Sequence, residues 1–111
     1  VETIAGKGSL THDHPVHAGP IGIIGSTSAN ALAEKADVVV AIGTRLQDFT
    51  TGSWTAFAQD ARFISINAAR WDATKHRAVA VVCDALEGVS ELDAALGDWS
   101  VSANWVPQVG R

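Results

Sequence analysis

The chain is short of charge: Asp, Glu, Lys and Arg make up 18% of its 111 residues, against 47% hydrophobic. So little charge on a small domain points to part of its surface being covered by another body. No apolar run approaches the ~20 residues that span a bilayer. No charged-then-apolar leader precedes the first apolar segment, so no signal peptide is expected. The eight Lys and Arg are scattered and the formal net charge is −4, which argues against nucleic acid and anionic membranes as partners. Cys83 stands alone, without an internal disulfide partner, which fits a reducing cytoplasm; it reads as a small buried apolar residue in a strand. Methionine is absent, 1–5 already reads as a strand and 99–111 trails off without a clear element, so both ends are expected to be cut edges of a longer polypeptide.

Several catalytic signatures are missing as well. There is no GxSxG, HExxH, CxxC or Walker loop. What is present is a length suited to one domain and a set of apolar runs. Residues 37–43, 62–67 and 78–83 are strand-like, the first a continuous β-branched run of the kind covered on both faces. With 1–5 they predict four strands. A helix is expected over 26–36, with Ala29, Leu32, Ala33 and Ala36 on one face and a serine as N-cap. A second is expected over 84–96, capped by Asp84 with Glu87 three residues on, ended by Gly97, and striped with Ala85, Val89, Leu92 and Leu96. A short helical turn is expected over 54–57. Strands alternating with helices predict an α/β fold, a parallel sheet flanked by helices with right-handed crossovers.

In an open parallel sheet, ligands sit beyond the carboxyl ends of the strands. Gly19, Gly22 and Gly25 lie in a loop that runs into a helix at Ser26. Two readings are open: a backbone cradle for phosphate at a helix N-terminus, or a tightly packed turn. After the most buried strand, Arg45, Gln47 and Asp48 either converge on a polar ligand or form a solvated loop with Arg45 and Asp48 paired. His12, His14 and His17 with Asp13 are of zinc-ligating type, but their spacing matches no zinc motif and Pro15 fits a turn, so no metal is expected there. His76, between Lys75 and Arg77, reads as a solvated charged turn. Trp54, Trp71, Trp99 and Trp105 are too dispersed for a stacking platform.

The order Gly6-Lys7-Gly8, His14-Pro15, Gly19-x-x-Gly22-x-x-Gly25 and then 36–46 (ADVVVAIGTRL) resembles the central domain of thiamine-diphosphate-dependent enzymes, the acetolactate synthase and oxalyl-CoA decarboxylase group among them. The resemblance runs over about 1–96. Within that family, 43–54 and the Trp71-Asp72-Ala73-x-Lys75-His76 stretch look closest to the trihydroxycyclohexane-dione hydrolases of inositol breakdown, which open a cyclic diketone by hydrolysing a carbon–carbon bond. A different reading, an NAD hydrolase sharing the Gly43-Thr44 strand end, needs a zinc ribbon that one cysteine does not provide.

The resemblance implies a three-domain, cytoplasmic, homo-oligomeric parent that holds thiamine diphosphate and Mg2+ between its outer domains. Residues 1–97 would be part of the central domain and 98–111 the linker onward, with the catalytic residues and the metal site in the other domains. In some relatives the central domain binds FAD or an adenine nucleotide, and Gly22, Gly25, Thr44 and Arg45 are the positions here that would take it. Relatives that bind a dinucleotide end the next strand in acidic residues able to hold ribose hydroxyls. Here Asn67 stands in that place and flavin is disfavoured, while Asp84 matches the family's acid after the last strand. The family's strand order also places a further strand, upstream of residue 1, beside strand 37–43.

Overall fold

In the computed structural model of the chain, which describes residues 1–105, the β-branched run becomes the first strand, β1 (Val38–Ile42). It pairs in parallel with β2 (Arg62–Ile66), and β2 pairs in parallel with β3 (Val79–Val81), in the order β1-β2-β3. The three core runs were therefore legible as strands, each shorter than the apolar stretch that announced it. Between β2 and β3 the chain makes a four-residue helix and a 3-10 turn (Lys75–Arg77), and after β3 it enters a twelve-residue helix, Ala85–Leu96. This is an α/β arrangement with a parallel sheet flanked by helices, as expected.

The chain divides into two compact units. The sheet unit comprises Asp37–Leu46 and Asp60–Ser100. Its register sets Val40 beside Ile64 and Val79, and Ile42 beside Ile66 and Val81, so these side chains share one face. The opposite face buries Ala41, Phe63 and Ser65. On the Val40 face only Ile66 is buried, at 2% exposure, whereas Val38, Val40, Ile42 and Val79 lie open.

The second unit comprises Val1–Ala36, Gln47–Gln59 and residues 101–105. Here α1 (Thr27–Lys35) begins at Ser26, whose hydroxyl accepts from Ala29 N at 3.1 Å and donates to Ala18 O at 2.9 Å. One side chain thus satisfies an orphan helix donor and ties the helix to the incoming loop. Ala29 and Ala33 are buried, their small size allowing close approach. A short helix, α2 (Asp48–Thr51), ends at Gly52 in the left-handed region. In chain order the sheet unit's helices are α3 (Arg70–Ala73) and α4 (Ala85–Leu96).

Three expectations are corrected. Residues 1–5 form no strand: Glu2 makes a single isolated bridge with Pro20. Gly6 N donates to both the carbonyl and the hydroxyl of Thr3, turning the chain back, and Pro20 offers no N–H to extend a ladder. The sheet of the described residues accordingly has three strands, not four. Residues 54–57 are not helical either. The helical turn falls earlier, in α2, because Ser53 and Trp54 take positive φ (51° and 67°) immediately after Gly52. The stripe expected on α4 is not its packed face. Asp84 does cap the helix, accepting from Leu86 N at 2.9 Å, and Gly97 does end it, but the buried position is Gly88 while Val89 and Leu96 are exposed. Without a Cβ at Gly88 the helix backbone rests directly on Ile66 and Cys83.

Cys83 is half-buried just past β3, and among the described residues no helix is long and apolar enough to cross a membrane. The linker expected over 98–111 lies beyond residue 105 for its second half, outside the described residues.

Candidate functional site

The glycine loop is held by its own backbone. Gly22 N donates to Asn30 Oδ1 at 3.0 Å and Gly22 O accepts from Asn30 Nδ2 at 3.0 Å, so one side-chain amide of α1 clamps both the N–H and the carbonyl of Gly22. Ile23 N donates to Phe49 O at 2.9 Å, Gly25 N to Gly22 O at 2.9 Å and Ser26 N to Pro20 O at 2.8 Å. A Cβ at Gly22, where φ is 116°, would lie 2.2 Å from Phe49 O, and one at Gly25 would lie 2.6 Å from Pro20 O. Both glycines are thus demanded by backbone packed on backbone. The amides of 22, 23, 25 and 26 are already donated within the chain. A cavity of about 700 Å3 beside the loop is lined by Gly22, Gly25, Thr27, Asn30, Glu34 and Ser53 among others. The Glu34 carboxylate at its wall opposes a second anion.

In the sheet unit, the strand ends carry the second group of residues. Gly43 leaves β1 with positive φ, and its N–H donates to Ile66 O at 2.9 Å. The Thr44 hydroxyl accepts from Leu46 N at 3.2 Å. The buried Asn67 donates from Nδ2 to Thr44 O at 3.0 Å and accepts at Oδ1 from Ala69 N at 2.9 Å. It is a strut between the loops after β1 and β2. The position needs an amide, since a carboxylate would set oxygen against the Thr44 carbonyl. Lys75 donates to Arg45 O at 2.8 Å and pairs with Asp72 Oδ1 at 2.8 Å. Lys75 is therefore a loop clamp and not a plain solvated cation, a role that sequence reading missed because its partner lies 30 positions away. His76 adopts φ 54°, and its pKa is lowered by burial and then by Lys75.

The four positions named for a nucleotide fall into two pairs: Gly22 and Gly25 in one unit, Thr44 and Arg45 in the other. The histidines part company. His17 Nε2 lies 3.1 Å from Glu2 Oε1, both side chains nearly covered. His14 Nδ1 accepts from Val16 N at 3.4 Å. Among the described residues no group of three or more His, Cys, Asp and Glu could hold a metal ion. Glu2 also accepts from Gly8 N at 3.0 Å, and that bond, then His17 and Lys7, holds its carboxyl below the usual value despite desolvation.

Residues 1–92 match the family described as "Thiamine pyrophosphate enzyme, central domain". The chain belongs to that family. It is 43% identical over 98 residues to a 3D-(3,5/4)-trihydroxycyclohexane-1,2-dione hydrolase of Geobacillus thermodenitrificans (strain NG80-2), covering 88% of this chain and 15% of that protein. It is 36% identical over 109 residues to the protein of that name from Bacillus cereus (strain AH820), covering 97% and 17%. A third, from Bacillus thuringiensis (strain Al Hakam), is 42% identical over 89 residues, covering 79% and 14%. The chain thus spans about a seventh to a sixth of the curated relatives it matches.

The family's cofactor can be tested against these residues. A diphosphate with its metal ion needs convergent oxygen ligands. Glu2 is engaged by Gly8 and His17, Asp72 by Lys75 and Asp84 as the cap of α4, and among the described residues no group of three or more His, Cys, Asp and Glu could hold a metal ion. The described residues of this central domain do not fit thiamine diphosphate. They do not fit FAD at the glycine loop either, where the amides of 22, 23, 25 and 26 are taken, nor at Asn67, whose amide is engaged.

Proposed function

We propose that the chain is the central, structural domain of a thiamine-diphosphate-dependent hydrolase. The parent would cleave a carbon–carbon bond in a cyclic diketone, trihydroxycyclohexane-dione, and release the open-chain 5-deoxy-glucuronate of inositol catabolism. The observation that carries the reading is identity of 36–43% to relatives bearing that hydrolase name. In the parent the cofactor and Mg2+ belong to the other domains and supply the reactive carbanion, while residues 1–97 space those domains and 98–111 lead onward. A cytoplasmic, homo-oligomeric parent accords with this reading.

A nucleotide on Gly22, Gly25, Thr44 and Arg45 ranks below it. The loop amides are engaged, Glu34 stands at the cavity wall, and Asn67 is a strut. The test is consumption of the diketone by the purified parent with thiamine diphosphate and Mg2+, followed by loss of its absorbance. Turnover with no bound flavin supports the reading. No turnover of this diketone, with turnover of pyruvate instead, overturns it.

A further inference from the structure

In the unit that holds the glycine loop, residues 3–16 are tied to the fold through a single carboxylate. None of them is buried, and 7–16 are exposed throughout, Leu10 at 42% and Val16 at 46%. Their own hydrogen bonds are local: Gly6 to Thr3, Lys7 to Ile4, Ser9 to Gly6 and His14 to Thr11, with His17 N back to His14. The two roots of the loop are fixed by contrast. Glu2 N donates to Gly19 O at 3.1 Å and Glu2 O accepts from Ile21 N at 2.9 Å. Ala18 O accepts from the hydroxyls of both Ser26 and Ser28. The Glu2 side chain joins loop and roots. Its Oε2 accepts from Gly8 N, within the loop, at 3.0 Å, and its Oε1 lies 3.1 Å from His17 Nε2, at the loop's far end. Among the described residues Nε2 has no further polar partner.

We infer that residues 3–16 form a strap that swings as one unit from fixed roots, latched by the Glu2 carboxylate and released by acid. A compact loop with close ends and no buried side chain opens at far less cost than the body that carries it. Acid acts on the latch and on the strap together. The Gly8 hydrogen bond, then His17 and Lys7, lower the Glu2 pKa against desolvation, so the latch is whole above the ordinary value of 4.5 and is lost as the pH falls through the lowered one. Three of the chain's four histidines, His12, His14 and His17, lie in the strap or at its end with Lys7, and Asp13 is the strap's one acid. The strap therefore gains positive charge as its anionic anchor disappears, and like charges then favour the open form. The inference does not rest on the proposed activity.

The experiment uses the parent protein under native conditions, with trypsin and peptide mapping. Cleavage after Lys7 breaks the peptide whose N–H Glu2 holds, and cleavage after Lys35, the last residue of α1, reports opening of the body. Glu2→Ala is expected to speed the first by about 10-fold and to leave the second unchanged. Glu2→Gln keeps an acceptor for Gly8 N without the charge that faces His17, and should fall between. Unchanged cleavage after Lys7 in Glu2→Ala overturns the latch, and equal acceleration at both bonds overturns the strap as a separate unit. Hydrogen exchange, corrected for intrinsic rates, tests the release by acid. From about pH 7 to about pH 4, protection of 3–16 relative to α1 should fall in the unsubstituted protein and stay level in Glu2→Gln. The same response in both proteins overturns acid release through Glu2.

Discussion

At Gly22 two demands coincide, and either alone would exclude a side chain. Its φ of 116° lies outside what L-residues readily adopt, and the space a Cβ would fill is held by the Phe49 carbonyl at 2.2 Å. Gly22→Ala is therefore expected to cost about 2–5 kcal/mol, from backbone strain together with displacement of the Ile23–Phe49 hydrogen bond. A denaturant titration that shows less than about 1 kcal/mol would mean the loop yields easily. Asn67 makes a different argument. Asn67→Asp keeps the acceptor for Ala69 N but removes the donor to Thr44 O, leaving two oxygens facing each other; about 1–3 kcal/mol should be lost. It should not create flavin affinity, because the loop amides stay engaged. Calorimetry with FAD showing a dissociation constant near a micromolar for this variant would contradict that. Glu2 sets a pH dependence. Its pKa is lowered in the folded state, so its contribution is full above the ordinary value of 4.5 and is lost as the pH falls through the lowered value. Glu2→Gln should flatten stability against pH in that acid window.

Among the elements, what could be read in advance depended on how local the cause was. Strands β1 and β2 announce themselves through β-branched runs, and α1 and α4 through Ser26 and Asp84, caps that act within three residues. The early stretch 1–5 misleads because its apolar pattern competes with a turn closed by the Thr3 side chain. Helix α2 is displaced because left-handed backbone at Ser53 and Trp54 follows from the Thr51 hydroxyl accepting Trp54 N, a bond no periodicity reports. The candidate site divides likewise. Its residues were nameable, but their use was not: Asn67 and Thr44 meet across 23 positions, and Asn30 clamps Gly22 from the next helix. Helix α4 gives the test at this scale. Gly88→Ala gains about 1 kcal/mol of helix propensity, yet its methyl would lie 2.5 Å from Ile66 Cγ2 and 2.9 Å from Cys83 Sγ. Ile66 is buried and its Cγ2 is fixed to the branched Cβ, so overpacking of about 1–3 kcal/mol should win. A more stable variant would show that α4 is free to lift off the sheet.

For the molecule as a whole, the open apolar face governs behaviour in isolation. Val38, Val40 and Ile42 would each contribute about 1.5–3 kcal/mol if covered. That is large beside the ~5–15 kcal/mol of a complete domain. Strand β1 is also an edge strand of the described sheet, and edges of that kind recruit other chains. The 111-residue chain on its own is therefore expected to associate at micromolar concentration. Each copy carries a formal net charge of −4, so the association should strengthen as salt screens the repulsion. Val40→Lys places a cation in the middle of the face and should return the chain toward a monomer without touching Asn67, Gly22 or the caps. Sedimentation at low and high salt checks all three statements. A monomer with a sharp cooperative melt under both conditions would mean that the face is stable in water as it stands.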